Sequence, residues 1–275
     1  MRNTQIFVIV LLMLCACTPA EQSQAISESP AKLRVAVASN FYPTLRVLLA
    51  QSPSLNNQVT LIHGSTGTLY AQITHGAPFD VFLAADERSI TALMHAKLLE
   101  HPITYAYGEL VLWPLDTLQQ TQPLSTTLTE LSRTASNKVA IADPSLAPYG
   151  LAAQQTLIAL GIYEQMSAQL VLGNNVNQAF QFVDTANASI GILAKSQLIL
   201  AAQQYTNSEN RAQRYQQFQS IPLHLYEPIM QQAGILKRTE QLISAQKFMQ
   251  WLMSDNIQQQ LSALGYTPGS AQRLP

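Results

Sequence analysis

Short, wholly apolar runs alternate along this chain with stretches whose apolar positions recur every three or four residues. LRVAVAS (Leu33–Ser39) is short and largely apolar and reads as a strand, while Tyr42–Gln51 follows with Leu45, Leu48 and Leu49 on one helical face. QVTLIHG (58–64) is a second strand, leading into HGSTGTLYAQI, where Leu69 and Ile73 stand four apart on a helix. FDVFLAAD (Phe79–Asp86) is a third, with Asp86 placed to cap the helix ERSITALMHAKLL (87–99). After YAYGELVLWPL (Tyr105–Leu115) the polar stretch Asp116–Thr126 reads as a loop. KVAIADP (138–144) is another buried strand, with a helix from about Gly150 to Leu160; ASIGILA (188–194) is a strand followed by the helix KSQLILAAQ (195–203). SIPLHLYEPIMQQ (220–232) reads as a returning strand, and the chain closes with an amphipathic helix, QLISAQKFMQWLMS (241–254), and a shorter one around NIQQQLSALG.

Strand and helix in alternation predict α/β lobes, each a mixed, mostly parallel sheet flanked by helices. A single sheet for this count would be very long, so two lobes are expected: one discontinuous, 33–107 plus 225–275, the other 108–224. Two crossover strands would join them, with the last helices returning to the first lobe to make a hinged clamp. No repeat at the periods that mark solenoids is visible.

The N-terminus changes the compartment. MRNTQIFVIVLLMLCACTPA has a basic residue, an apolar run from Ile6 to Leu14, then small residues, which is a secretory leader whose run is too short to span a membrane comfortably. Leu14-Cys15-Ala16-Cys17 resembles a bacterial lipobox, which makes 1–17 a lipoprotein-type signal peptide and Cys17 the lipidated first residue of the mature chain; a cut near Ala20 is the alternative, and both export the protein. The polar, aperiodic segment 18–32 reads as a flexible tether. The only 2 cysteines lie in the leader, so the mature chain has no disulfide framework and no thiolate nucleophile or metal ligand. A net charge of −1 with 11% charged residues and no basic stripe argues against nucleic acid as a partner.

Candidate chemistry gathers where strands give way to helices. Ser39-Asn40, Gly64-Ser65-Thr66-Gly67 and Pro144–Gly150 are small and rich in hydrogen-bond donors, and ligands of parallel α/β sheets sit beyond such strand ends. Each junction alone reads as a helix cap. Together they can converge on one ligand through N–H and O–H groups, with no Lys or Arg supplied. His63, His75, His95, His101 and His224 have no partner at metal-ligand spacing, and no nucleophile motif is present, which argues against an enzyme.

VAVASN, GSTGTLYAQITHGAPFDVFLAAD and VAIADPSLAPYGLAAQQTLIALG resemble the signature blocks of the molybdate-binding proteins of ABC importers, which are periplasmic type II solute-binding proteins; the likeness runs from about Leu33 to Thr267 and is thin between Gln119 and Asn137. The resemblance implies the two-lobed type II periplasmic-binding-protein fold and capture of molybdate or tungstate between the lobes. Delivery would be to an ABC permease, by a monomer held at the membrane through a lipid anchor, without a cofactor. It assigns Ser39 as a hydroxyl donor, Asn40 as an N–H donor, Ser65 and Thr66 as a hydroxyl pair with Thr66 the principal ligand, and Tyr149 and Val176 at positions of backbone donors. Many members also carry a tyrosine where this chain has Ala194, and Tyr149 stands to replace that hydroxyl from the opposite junction. A fully deprotonated tetrahedral dianion needs donors only, whereas phosphate near neutral pH keeps a proton and benefits from a carboxylate. No Asp or Glu lies within the three loops, apart from Asp143 just before Pro144, so molybdate, tungstate and sulfate rank above phosphate; an organic carboxylate would call for an arginine, and Arg34, Arg46, Arg88 and Arg133 lie outside them.

Overall fold

The apolar runs become the central strands of two sheets in a computed structural model of the chain, which describes residues 31–114, 119, 121–134, 136–205 and 208–269. The signal peptide with Cys17, and the tether as far as residue 30, lie outside the described residues. The first sheet is built from β1 (Leu33–Ala38), β2 (Val59–Gly64), β3 (Val81–Ala84), β4 (Leu99–Gly108), β10 (Ile229–Leu236) and β11 (Thr267–Pro268), in the order β11-β4-β10-β3-β1-β2. The second has β5 (Leu110–Trp113), β6 (Val139–Ala142), β7 (Leu170–Gly173), β8 (Ile190–Ala194) and β9 (Gln219–Ser220), in the order β7-β6-β8-β5-β9. In each, a parallel core (β2-β1-β3 and β7-β6-β8) is extended by antiparallel strands. The chain passes from the first sheet to the second between Gly108 and Leu110 and returns between Ser220 and Ile229.

The helices are α1 (Tyr42–Ala50), α2 (Pro53–Asn56), α3 (Thr66–Thr74), α4 (Glu87–His95), α5 (Leu124–Ser132), α6 (Pro148–Ala159), α7 (Tyr163–Met166), α8 (Val176–Asp184), α9 (Lys195–Gln204), α10 (Glu209–Gln216), α11 (Leu242–Leu252) and α12 (Asp255–Ala263). Because successive side chains of a strand point to opposite faces, β1 sends Val35 and Val37 to a core with Leu45, Leu48 and Phe248. Its Ala36 goes to a second core with Leu69, Ile73 and Phe82 on the other face. The second sheet divides in the same way, with Leu110 and Leu112 in one core and Val111 and Trp113 in the other. Strands covered on both faces have no room for polar alternation, and β3, β5, β6 and β8 are buried at every position.

Three elements depart from the sequence reading. The helix expected over 87–99 stops at His95, the chain turns through Lys97 at φ 57°, and β4 starts at Leu99, the last residue read as helix. The single returning strand over 220–232 is two pieces separated by a 3₁₀ turn at Leu223–Leu225. Pro222 and Pro228 lack the N–H a ladder needs, so continuous pairing resumes only at Ile229. The loop read over 116–126 ends early, since α5 begins at Leu124, while 115–118 and 120 lie outside the described residues.

Asp86 caps α4 as its position implied, its Oδ1 accepting the Ser89 N–H at 2.8 Å. Asp86→Ala is expected to lower stability by about 1 kcal/mol, read as a lower urea midpoint at unchanged m.

Candidate functional site

Four parallel strands, β1, β2, β6 and β7, end at one place, and each hands the chain to a helix there. At the end of β1, Ser39 uses its own N–H on Gly64 O at 2.8 Å, and its carbonyl accepts from Asn177 Nδ2 at 2.7 Å. Its hydroxyl makes no hydrogen bond among the described residues. Asn40 follows with its carbonyl held by Tyr266 Oη at 3.1 Å and its backbone N–H likewise free of any acceptor among the described residues.

At the end of β2, Ser65 is the N-cap of α3: its Oγ accepts from Thr68 N at 3.2 Å and lies 2.7 Å from Thr68 Oγ1. Thr66 Oγ1 accepts the Ala85 N–H at 3.0 Å, which leaves the Thr66 hydroxyl hydrogen to point elsewhere. Beyond β6, Asp143 takes Ser145 N and Oγ in a local turn, at 2.8 and 2.6 Å. The chain then enters α6 with Pro148 in the first turn, where its missing N–H costs nothing. Gly150 lets α6 seat directly on β6, since a Cβ there would lie 2.2 Å from Ala142 O. Beyond β7, Asn175 caps α8 by accepting from Asn177 N and Gln178 N at 3.0 and 3.1 Å.

Capping leaves some donors over. The first N–H groups of a helix have no intrahelical acceptor, and the N–H groups of Thr66, Tyr149 and Val176 find none elsewhere among the described residues. With Asn40, four such N–H groups border one cavity of about 10 Å³, whose wall holds Ser39, Asn40, Ser65, Thr66, Tyr149 and Val176, completed by Ala38, Ala85, Ala147 and Pro148. All six residues singled out in the sequence therefore meet on one wall. The space suits a compact group and excludes an extended one. Three helix N-termini, those of α3, α6 and α8, direct their positive ends at it.

No carboxylate, imidazole, ammonium or guanidinium lines this cavity. The one titratable wall residue is Tyr149, whose hydroxyl is held well above the ordinary tyrosine pKa, first by burial and then by the neighbouring Tyr266, Tyr105 and Tyr226 hydroxyls. It stays protonated and remains a donor. His63 is turned away, stacked on the Tyr42 ring at 4.2 Å. Asp184 is engaged by Arg214 and Tyr215 at 3.0 and 2.8 Å, half-buried among the elements of the second sheet. Charge begins only in a wider cleft of about 270 Å³ that shares Ala85 and Pro148 with the cavity and carries Asp86, Glu87, Arg88 and Glu227. Among the described residues no cluster of His, Cys, Asp or Glu is placed to hold a metal ion, and no helix is long and apolar enough to cross a membrane.

Hydrogen bonds join the two sheets' elements around the cavity: Gly67 N to Leu146 O at 2.9 Å, besides Asn177 to Ser39. Gln197 locks the α8 end of this contact, donating to Val176 O at 3.1 Å and to Asn177 Oδ1 at 2.7 Å. Ala194, which precedes it, is buried and stands off the wall. Sequence reasoning missed Asn177, Gln197 and Gln231. The available signal for Gln197 and Gln231 was a polar amide at a position that the periodicity marks as inward-facing.

Residues 33–267 match the model of a family described as bacterial extracellular solute-binding proteins. The chain belongs to that family. Among similar extracellular solute-binding proteins is the molybdate-binding protein ModA of Rhodobacter capsulatus, 33% identical over 245 residues, which are 88% of this chain and 90% of the relative. A putative ABC transporter substrate-binding lipoprotein of Bacillus subtilis, YvgL, is 24% identical over 97% of this chain and 98% of its own length. The solved periplasmic molybdate-binding protein of Azotobacter vinelandii superposes with a TM-score of 0.75 at 34% identity, covering 86% of this chain and 98% of that one. The two-sheet α/β fold is that of the type II periplasmic binding proteins.

Proposed function

We propose that this protein captures molybdate, with tungstate as an equivalent ligand, and delivers it to an ABC permease. The observation that carries this reading is a small cavity lined by hydrogen-bond donors and by no carboxylate. A dianion without a proton asks for that lining, and each hydrogen bond to a charged group contributes about 1.5–3 kcal/mol. The donors are Ser39, Asn40, Ser65, Thr66, Tyr149 and Val176: hydroxyls from Ser39, Ser65 and Thr66, N–H groups from Asn40, Thr66, Tyr149 and Val176, and the Tyr149 hydroxyl in place of the donor that Ala194 does not supply. The two lobes are 33–107 plus 225–275, and 108–224, closing on the anion as a clamp. Binding without chemistry follows from a wall that offers no base to activate Ser39, Ser65 or Thr66. Cys17 is the lipid attachment point, and the protein works as a periplasmic, membrane-tethered monomer; the likeness to a substrate-binding lipoprotein supports the tether.

Isothermal titration of the purified protein tests the reading. Saturable heat with molybdate and with tungstate, and none with phosphate at the same concentration, is the expected result. Heat with acetate or an amino acid but none with molybdate would overturn it, and sulfate binding tighter than molybdate would reassign the anion.

A further inference from the structure

Gln231 sits on β10, fully buried, and is no part of the cavity wall. Its Oε1 accepts from Asn40 Nδ2 at 2.9 Å and from Tyr105 Oη at 3.0 Å. The Tyr105 hydroxyl also lies 3.3 Å from Ala84 O, so the Asn40 amide is the donor that turns Oε1 its way, and the Gln231 Nε2 donates to Tyr149 Oη at 3.2 Å. That is the one hydrogen bond of the Tyr149 hydroxyl among the described residues. Resting on the molybdate reading above, we propose that Gln231 is a positioning residue for the oxyanion: by donating to Tyr149 Oη it fixes that oxygen as an acceptor and directs the hydroxyl's own hydrogen to the ligand.

A phenol has one hydrogen and can spend it once. Opposite a carbonyl or carboxylate, the Tyr149 hydrogen would go to that neighbour and the anion would meet a lone pair. Opposite an N–H donor, the hydrogen is left over. An amide also does this without bringing charge near a dianion, which a lysine or a glutamate in the same place would not. Asn40 serves here to orient the amide, so the chain of control runs from the hinge-side strand β10 through Gln231 to the second lobe's donor.

The test is a double-mutant cycle on the full-length protein, titrated with sodium molybdate: wild type, Gln231→Met, Tyr149→Phe and the double variant. Each single change is expected to weaken binding at least about tenfold, the worth of one hydrogen bond to a charged group. The double variant is expected to bind no more than about threefold more weakly than Tyr149→Phe alone, because the two residues act through one hydrogen. The same tenfold loss in both backgrounds is what general support of the fold gives, and it overturns the assignment, as does wild-type affinity in Gln231→Met. Should Gln231→Met not fold, Gln231→Glu replaces the donor by an oxygen of nearly the same shape. It is expected to weaken binding at least about tenfold, and unchanged affinity overturns the assignment. A wild-type protein that takes no molybdate overturns the functional reading and this assignment together, whereas wild-type binding with an indifferent Gln231 overturns this assignment alone.

Discussion

Ser39→Ala combined with Thr66→Ala is expected to weaken molybdate binding at least about a hundredfold, since two hydrogen bonds to a charged ligand at about 1.5 kcal/mol or more each are removed. The two halves of the change differ in kind. The Ser39 hydroxyl has no partner in the protein among the described residues, so Ser39→Ala takes a donor from the ligand and nothing from the fold. Thr66 Oγ1 also accepts from Ala85 N, so Thr66→Ala leaves a buried N–H unpaired and lowers stability by about 1–3 kcal/mol as well. Titration calorimetry on the single and double variants, with thermal unfolding alongside, separates the effects. The expected order is loss of affinity in both, loss of melting temperature in Thr66→Ala only. A double variant that binds as wild type would remove these junctions from the site.

Gly108→Ala is expected to be as damaging from further away. Gly108 ends β4, where the chain leaves the first sheet, and a Cβ there would fall 2.1 Å from Tyr149 Oη and 3.0 Å from Gln231 Nε2. Neither group can step aside, because Tyr149 is buried among other tyrosines and Gln231 is held on both ends of its amide. One methyl group therefore displaces the Tyr149 hydroxyl and strains the crossover together. Overpacking of this kind costs about 1–3 kcal/mol of stability, and the lost donor, at about 1.5–3 kcal/mol, amounts to roughly ten- to a hundredfold in affinity. Far-UV circular dichroism is expected to show an intact fold while titration shows the loss. Wild-type affinity in Gly108→Ala would mean that the Tyr149 hydroxyl does not reach the anion.

How far such a site can be read from residues alone depends on which atoms do the work. Ser39, Asn40, Ser65 and Thr66 were legible because small hydroxyl and amide side chains interrupt apolar runs at strand ends, and a glycine beside them marks the turn. Val176 was reached only by resemblance: its contribution is a backbone N–H, which any residue but proline provides, so its identity carries no signal. Gln231 was missed for a different reason. Its partners lie 191 residues away at Asn40 and 82 away at Tyr149, and neither amide of the Gln231-Gln232 pair on β10 announces long-range partners. The strand that carries it was itself misplaced at its start, because Pro222 and Pro228 interrupt an apolar stretch whose composition is otherwise that of a strand. The two-sheet architecture was legible because strands buried on both faces are unbroken apolar runs. The short β7, Leu170–Gly173, is apolar as well but partly exposed, and three apolar residues are too few to mark a strand.

The absence of formal charge around the cavity bears on the surroundings in which the protein works. An extracytoplasmic protein meets whatever acidity the medium imposes, without the buffering of the cell interior. A wall with no histidine or carboxylate takes up and gives off no proton as the anion arrives, and its single phenol is held in its neutral form by burial. If the anion is held at this wall, as proposed, its capture is expected to vary little with external acidity until the anion itself is protonated. Such a scavenger would have a grip that follows the chemistry of its ligand and not that of the medium.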